Sequence, residues 1–288
     1  MNRKRVVIVT GSTGGLGAHV TDALAAKGWD LILVNRPSRR AEEQAETLAS
    51  RWPESRVHGI SANLLEIEEV LGAVNTVRSE YERIDALYNI AGVLTADRMN
   101  SSAGHESHFA INTLASYALA TRLRPVLSSA GGPDDPALVV NLSSSAIKSV
   151  RKLDAAALPN PKHIGKLMGA YAESKFALTA VTALLGPSFL DDHIVMVAVD
   201  PGPMRTSMTT KNAGMPVFLR PLVPLLFRRP ESVAPRLIET AERARADRAA
   251  GVLISGGKRV RIPPAASDPL LQKSIAELLE ACIPEHAG

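Results

Sequence analysis

Only one of the 288 residues, Cys282, is a cysteine. A single thiol excludes a disulfide within the chain and argues against a cysteine-based zinc site. Because disulfides accumulate in oxidising compartments, this composition favours a reducing one, and we expect a cytoplasmic protein. Aromatic residues are also few, with five Phe, four Tyr and two Trp, so the hydrophobic core must be mainly aliphatic.

No hydrophobic run is long enough to cross a membrane. The longest apolar region, residues 215–227, contains Arg220 and three prolines, whereas a spanning helix needs about 20 apolar residues without such interruptions. Three interpretations of this region stay open: packing on the protein or on another subunit, an apolar lid over a ligand, and shallow peripheral contact with a membrane.

The charge pattern does not favour nucleic acid as a partner. The pI is about 9.3, but the formal net charge is only +4 and acidic residues are interleaved with basic ones. The basic clusters at residues 1–5, 36–40 and 258–261 are short and contain no aromatic side chain that could stack on a base. A small phosphate-bearing ligand explains at least one of them more simply.

Short β-branched segments alternate with helical patterns along the chain. Strands are predicted at residues 6–10, 31–35, 57–61, 84–91, 137–142, 194–199 and, as the last one, 251–255. Helices are predicted at residues 16–24, 40–51, 66–81, 107–128, 170–185 and 269–279, and Pro125 is expected to bend the fourth or end it early. This alternation predicts an α/β fold with a doubly wound parallel sheet of the Rossmann type and helices on both faces. We expect a single domain over residues 1–288, with substrate-binding elaborations at about 146–169 and 207–230.

A glycine-rich turn follows the first predicted strand. Its sequence, Thr10-Gly-Ser-Thr-Gly-Gly-Leu-Gly17, has the pattern G-x-x-x-G-x-G. Glycine permits a tight turn and lets the backbone approach a pyrophosphate, while the next helix supplies free N–H groups and a favourable dipole. Glycines alone often mark a plain loop, but the strand–turn–helix context favours a dinucleotide site. Its candidate cofactor-binding residues are Thr10, Gly11, Ser12, Thr13, Gly15, Leu16 and Gly17.

Tyr171 and Lys175 are separated by one helical turn, which places an ammonium near a phenol. An unperturbed tyrosine, with a pKa near 10, is a poor acid–base group at neutral pH. The neighbouring cation is expected to lower the pKa of Tyr171 toward a useful range. The spacing is a weak signal by itself, since an exposed helix often carries both residue types.

Hydroxyl side chains end the predicted strand 137–142, at the sheet edge where ligands bind in open α/β folds. Ser145 fits a cap of the following turn. Ser143 or Ser144 is better placed to hydrogen-bond a substrate carbonyl.

Taken together, these segments resemble the short-chain dehydrogenase/reductase family, whose motifs occur in the same order across residues 6–206. The resemblance implies catalytic roles for Ser144, in preference to Ser143, and for Tyr171, Lys175 and Asn112, the last through a water relay. It extends to Asn89-Ile-Ala-Gly92 and to Asp200-Pro-Gly-Pro-Met-Arg-Thr206. The further cofactor-binding residues that it implies are Asn89, Ala91, Gly92, Tyr171, Lys175, Pro201, Gly202, Met204 and Thr206.

Three segments are similar to the retinol-dehydrogenase-like branch of that family: the insertion 146–169, residues 103–109, and the ending from 251–255 into a helix. This resemblance implies a lipophilic alcohol, aldehyde or ketone as the substrate. Many relatives dimerise through the helices equivalent to those that carry Asn112 and Tyr171. The insertion could obstruct that face, so a homodimer and a monomer both stay open.

Asn35 stands where NAD enzymes of this fold place an acidic residue for the ribose 2′-hydroxyl. Arg36, Arg39 and Arg40 follow, and a guanidinium can pair with a 2′-phosphate. NADP(H) is therefore favoured over NAD(H), with Asn35, Arg36 and Arg40 as candidate residues, although Arg39 and Arg40 could merely begin a solvated helix. Asn63 and Leu64, where the family often has Asp-Leu, are expected beside the adenine.

The predicted function is NADP(H)-dependent hydride transfer that interconverts an alcohol and a ketone or aldehyde, with Tyr171 as the acid–base group. The main alternative is a non-catalytic dinucleotide-binding regulatory or scaffold protein, although such proteins commonly lose the Tyr or Lys kept here. An epimerase or dehydratase of the extended subtype is a second alternative. His105 and His108 are assigned no chemistry and no metal, since no third ligand lies near them in the sequence.

Overall fold

The structure, a computed structural model, describes residues 3–162, 164, 169–204 and 227–284. Its strands are β1 Val6–Thr10, β2 Asp30–Asn35, β3 Val57–Ser61, β4 Ala86–Asn89, β5 Ala137–Leu142, β6 Ile194–Asp200, β7 Val252–Ser255 and β8 Lys258–Val260. Its helices are α1 Gly15–Ala25, α2 Arg39–Arg51, α3 Ile67–Glu80, α4 Ser107–Phe109, α5 Ala115–Arg122, α6 Arg124–Ser128, α7 Gly169–Asp191, α8 Pro230–Ala246 and α9 Pro269–Ala281. A π-helical turn, Ala110–Leu114, joins α4 to α5.

These strands form one sheet in the order β3-β2-β1-β4-β5-β6-β7-β8. Successive side chains of a strand point to opposite faces, and here both faces are buried. Ile8 and Ile32 pack on the face covered by α3, α5 and α7, whereas Val7 and Leu31 pack on the face covered by α1 and α8. The predicted Rossmann-type sheet with helices on both faces is confirmed.

The prediction that the strand at 251–255 is the last one is wrong. β7 is followed by β8, which pairs with it in the antiparallel direction. Gly256 and Gly257 connect them with φ angles of 60° and 77°, and a two-residue hairpin turn of this kind requires positive φ. The Gly-Gly pair was the sequence signal for this hairpin turn.

Residues 107–128 do not form one uninterrupted helix, in agreement with the effect expected of Pro125. The chain breaks at Leu123, whose φ and ψ are −90° and 0°, just before Pro125, which has no N–H to donate. Helix α8 was not predicted, although Val233, Leu237 and Ala241 are buried at helical spacing. Pro235 lies inside this helix and interrupts the helical pattern of the sequence. None of the helices described is long and apolar enough to cross a bilayer.

The sheet order places β1 beside β4. From β1 the chain continues to β2 on one side, and from β4 it continues to β5 on the other, so the strand order reverses between β1 and β4. A crevice forms beyond the carboxyl ends of strands at such a reversal point and is the usual ligand site of an open α/β sheet. The predicted site residues follow these strand ends.

Candidate active site

A cavity of about 460 Å³ lies at this reversal point. The predicted site residues that line it are Gly11, Thr13, Gly15, Leu16, Gly17, Asn35, Arg36, Asn63, Leu64, Ala91, Gly92, Tyr171, Lys175, Pro201 and Met204. Others lie beside or behind its wall, namely Thr10, Ser12, Arg40, Asn89, Asn112, Ser144 and Gly202. Thr206 and residues 207–226 of the predicted elaboration lie outside the described residues. Ser38, Val93 and Ile111 also line the cavity and were not predicted.

The turn after β1 needs glycine at two positions. Gly11 has a φ of +67°, and a Cβ there would lie 2.7 Å from the Cα of Ala91. A Cβ on Gly17 would lie 2.2 Å from the carbonyl oxygen of Gly11. No side chain caps α1, so the N–H groups of its first turn are free to bind an anion.

Two predicted residues hold the strand ends together rather than lining the cavity. The hydroxyl of Thr10 accepts hydrogen bonds from the backbone N–H groups of Ile90 and Ala91, both at 3.1 Å. The amide of Asn89 donates to the Oδ1 of Asn141 at 2.8 Å. The carboxyl ends of β1, β4 and β5 are therefore fixed relative to one another before any ligand binds.

A chain of hydrogen bonds sets the orientation of Asn35. The backbone carbonyl of Ser12 can only accept, so Gln44 turns its Nε2 toward it at 2.7 Å. The Oε1 of Gln44 then accepts from the Ser12 hydroxyl at 2.8 Å, and that hydroxyl accepts from the Nδ2 of Asn35 at 2.7 Å. The Oδ1 of Asn35 is left buried and, among the described residues, without a partner.

That unpaired acceptor is an observation in favour of a bound nucleotide, because a buried polar atom without a partner is costly and a ribose hydroxyl would satisfy it. The charges that line the cavity also favour a nucleotide. Arg36 and Lys175 line the cavity, and no carboxylate of the described residues does. Arg40 is exposed and does not line it, so one of the two predicted arginines is in place to meet a phosphate. The residues present fit a pyridine dinucleotide.

Tyr171 and Lys175 lie on one face of α7, and both line the cavity. Lys175 is buried, with 4% of its surface exposed, and its Nζ donates to the carbonyl oxygen of Leu142 at 2.8 Å. Burial lowers the pKa of Lys175 to about 8.

The pKa of Tyr171 differs from the sequence-based expectation. Burial raises it, a hydrogen bond with Ser144 lowers it, and the charge of Asp200 raises it, with a net rise from the ordinary value. The expected lowering by Lys175 is wrong for the protein without ligand. Desolvation of the phenol has the largest effect on its pKa and outweighs the hydrogen bond with Ser144.

The two candidate serines have different environments. The hydroxyl of Ser143 is buried and pairs with the hydroxyl of Thr179 at 2.8 Å, although Ser143 lines the cavity and Ser144 does not. Ser144 is partly exposed, accepts from the N–H of Ala146 at 3.2 Å and hydrogen-bonds to Tyr171. Of the two hydroxyls, the one beside the phenol is that of Ser144.

Asn112 lies in the π-helical turn and binds the backbone of Val93, a residue that lines the cavity. Its Oδ1 accepts from the N–H of Val93 at 2.8 Å, and its Nδ2 donates to the carbonyl of Val93 at 3.1 Å and to the Ser174 hydroxyl at 3.0 Å. A Cβ on Gly92 would lie 3.1 Å from that Oδ1 and 3.5 Å from the Nζ of Lys175. The amide therefore supports the wall next to Lys175, and its part in a water relay stays a prediction.

Three residues near the site were not assigned a role from the sequence: Gln44, Glu106 and His108. Gln44 orients Asn35 from a different helix, and His108 lies against Tyr171 with 6.3 Å between ring centroids. Nothing in local spacing indicates such contacts. Within the described ranges, no three His, Cys, Asp or Glu side chains come together as a metal site would require.

Known proteins resemble this chain in sequence and in fold. A family profile described as short chain dehydrogenase matches residues 5–156. Mouse polyprenol dehydrogenase is 30% identical over 242 residues, which cover 82% of this chain and 71% of that protein. Mouse retinol dehydrogenase 13 is 26% identical over 270 residues, 92% of this chain and 79% of that protein. The fold matches the Pseudomonas aeruginosa RhlG/NADP complex with a TM-score of 0.70 at 24% identity, over 88% of this chain and 94% of that one.

Proposed function

Because this chain belongs to the short-chain dehydrogenase/reductase family, it is an oxidoreductase acting on CH–OH or C=O groups with NAD(P), and we propose that it interconverts a lipophilic alcohol and its ketone or aldehyde with NADP(H). One observation carries the proposal. The largely buried phenol of Tyr171 lies beside Lys175 on the wall of a cavity whose far side is the glycine turn.

The reacting proton belongs to Tyr171. Its raised pKa keeps the phenol protonated at neutral pH, so that it can donate to the oxygen of a bound carbonyl. Ser144, beside the phenol, orients that oxygen, and the ammonium of Lys175 favours the phenolate left after the transfer. A bound nicotinamide supplies or accepts the hydride.

The preference for NADP(H) rests on Arg36. The Oδ1 of Asn35 would accept a hydrogen bond from a ribose hydroxyl, which both dinucleotides possess, so it would not discriminate between them. Arg36 lines the cavity, makes no ion pair with any described residue, and can pair with a 2′-phosphate. Arg39 is instead engaged with Glu43 at 2.7 Å.

The proposed lipophilic substrate is supported by two relatives whose names denote long apolar alcohols, polyprenol and retinol. The apolar residues of 215–227, almost all outside the described ranges, are proposed as a lid over such a ligand or as a peripheral membrane contact. With one cysteine in the chain, we place the protein in the cytoplasm, with a small molecule rather than nucleic acid as its partner.

We also propose that the protein is a monomer organised as a single domain. Helix α9 packs against α7, and Ile275 and Leu279 share a hydrophobic cluster with Ala155 and Leu158 of the insertion. The hydroxyl of Tyr117 on α5 donates to Glu280 at 3.2 Å. The helix face through which many relatives pair is thus covered by the chain itself.

Tyr171→Phe tests the proposed function. NADPH oxidation is measured with a panel of apolar ketones and aldehydes, and dinucleotide affinity is measured by fluorescence. The variant is expected to lose turnover and to keep its affinity, while Tyr81→Phe, a change outside the cavity, keeps both. Substantial residual turnover in Tyr171→Phe would end the assignment. A wild-type protein that binds NADPH but reduces nothing would favour the non-catalytic alternative.

A further inference from the structure

Glu106 and His108 form a fully buried pair that the mechanism above does not use. Their exposed fractions are 0% and 1%. The Oε1 of Glu106 accepts from the Nδ1 of His108 and from the Ser107 hydroxyl, both at 2.9 Å, and its Oε2 accepts from the backbone N–H of His108 at 2.9 Å. The carboxylate is therefore satisfied on both oxygens.

The imidazole of His108 is held in one tautomer. Its Nε2 accepts from the backbone N–H of Thr95 at 3.2 Å. A backbone N–H can only donate, so Nε2 carries no proton, and the ring proton must lie on Nδ1, facing Glu106. Because both ring nitrogens are engaged, His108 has no free atom with which to exchange a proton or bind a metal.

The same ring contacts the phenol ring of Tyr171. The ring centroids are 6.3 Å apart and the planes are inclined at 76°, an edge-to-face arrangement that aromatic pairs prefer. Ser144 also bonds to Tyr171, so the tyrosine contacts both this serine and the imidazole. A rotation of the imidazole would break its buried hydrogen bond with Glu106 and its partly buried hydrogen bond with Thr95.

From this geometry we propose that Glu106 and His108 are positioning residues for Tyr171: the carboxylate fixes the imidazole, and the imidazole fixes the phenol ring for proton transfer. The inference rests on the proposed function. Thr95 and Val93 belong to one loop, which is held by His108 and Asn112 respectively. The pair therefore ties the placement of Tyr171 to that of the cavity wall.

The test uses Glu106→Gln and His108→Leu. The first keeps the volume but turns an NH₂ group toward a donor, and the second removes the ring. A small displacement of a reacting group costs up to about 100-fold in rate, so each variant is expected to lose roughly ten- to a hundredfold in kcat. Dinucleotide affinity should stay within about twofold, since neither residue lines the cavity.

The matched control is His105→Leu. His105 lies three residues earlier and contacts Phe109 instead, with 5.6 Å between ring centroids, so its loss should leave kcat unchanged. A separate readout needs no activity: ¹⁵N NMR of the histidine-labelled wild-type protein should show one imidazole protonated on Nδ1 alone, and His108→Leu should remove that signal.

The outcomes separate the two proposals. If Tyr171→Phe is inactive while Glu106→Gln and His108→Leu keep wild-type kcat, the positioning role is wrong and the proposed function stands. If Tyr171→Phe stays active, the proposed function fails first. An imidazole of His108 protonated on Nε2 in the wild-type protein overturns the positioning role, and this readout does not depend on how well a variant folds. A variant whose kcat falls together with its dinucleotide affinity and its unfolding temperature overturns it as well, because such losses report general damage to the fold.

Discussion

Replacing Lys175 with methionine should make the protein inactive and more stable. The ammonium of Lys175 is almost completely removed from water and has one hydrogen-bond partner among the described residues, the carbonyl of Leu142. Methionine keeps the apolar stem and removes the charge. The folded protein then no longer has to desolvate an ammonium.

The magnitude follows from the pKa of Lys175, which burial lowers from 10.5 to about 8. At about 1.4 kcal/mol for each pH unit, the charged form destabilises the fold by roughly 3 kcal/mol at neutral pH. The substitution leaves the carbonyl of Leu142 without its partner, a loss of about 1 kcal/mol. We therefore expect the free energy of unfolding at pH 7 to rise by about 2 kcal/mol.

The pH dependence gives a sharper readout. Below pH 8 the lysine is charged in both states and the destabilisation is complete. Between about pH 8 and 10.5 the unfolded chain keeps a proton that the folded one has lost, so wild-type stability rises with pH. Lys175→Met lacks this group, so its advantage should shrink over that window, reach zero within it and reverse above it, where only the lost hydrogen bond to Leu142 remains.

Urea unfolding of the ligand-free proteins at pH 7, 8 and 9 measures the difference, with Lys148→Met, an exposed lysine, as the control that should stay close to wild type. A Lys175→Met variant that is less stable than wild type at pH 7, or whose advantage does not change with pH, would refute the reasoning. Either result would mean that the ammonium is well solvated or strongly paired in the folded protein.

Three further predictions concern the cofactor and the assembly. Arg36→Ala should weaken NADP(H) binding roughly tenfold or more and leave NAD(H) affinity nearly unchanged in a fluorescence titration; equal losses for both would contradict the assignment. Gly17→Ala should abolish dinucleotide binding because its Cβ would lie 2.2 Å from the Gly11 oxygen, whereas Gly72→Ala, with open space, should not. Light scattering should give a monomer of 30.6 kDa, and a dimer would disprove the covered-face argument.

Much of the fold could be predicted from local sequence. β1, β3 and β5 begin and end where predicted, and β1 and β5 do so because each is a short β-branched or apolar run followed by residues that favour turns. The glycine turn, Tyr171 and Lys175 could be located for a similar reason, since their chemistry depends on spacing within a single turn or helix. Helix α8 and strand β8 were missed because Pro235 interrupts the helical pattern and because β8 has only three residues.

The sequence by itself determined which residue types stand at the ends of the strands, and hence the class of ligand and reaction. Only the tertiary structure decided how those groups are oriented and charged. Asn35 takes its direction from Ser12 and Gln44, which lie in other elements of the chain. The rise in the pKa of Tyr171 comes from burial beneath several segments. The direction of a hydrogen bond and the desolvation of a side chain depend on distances between residues that are remote along the chain. The local periodicity of the sequence does not specify those distances.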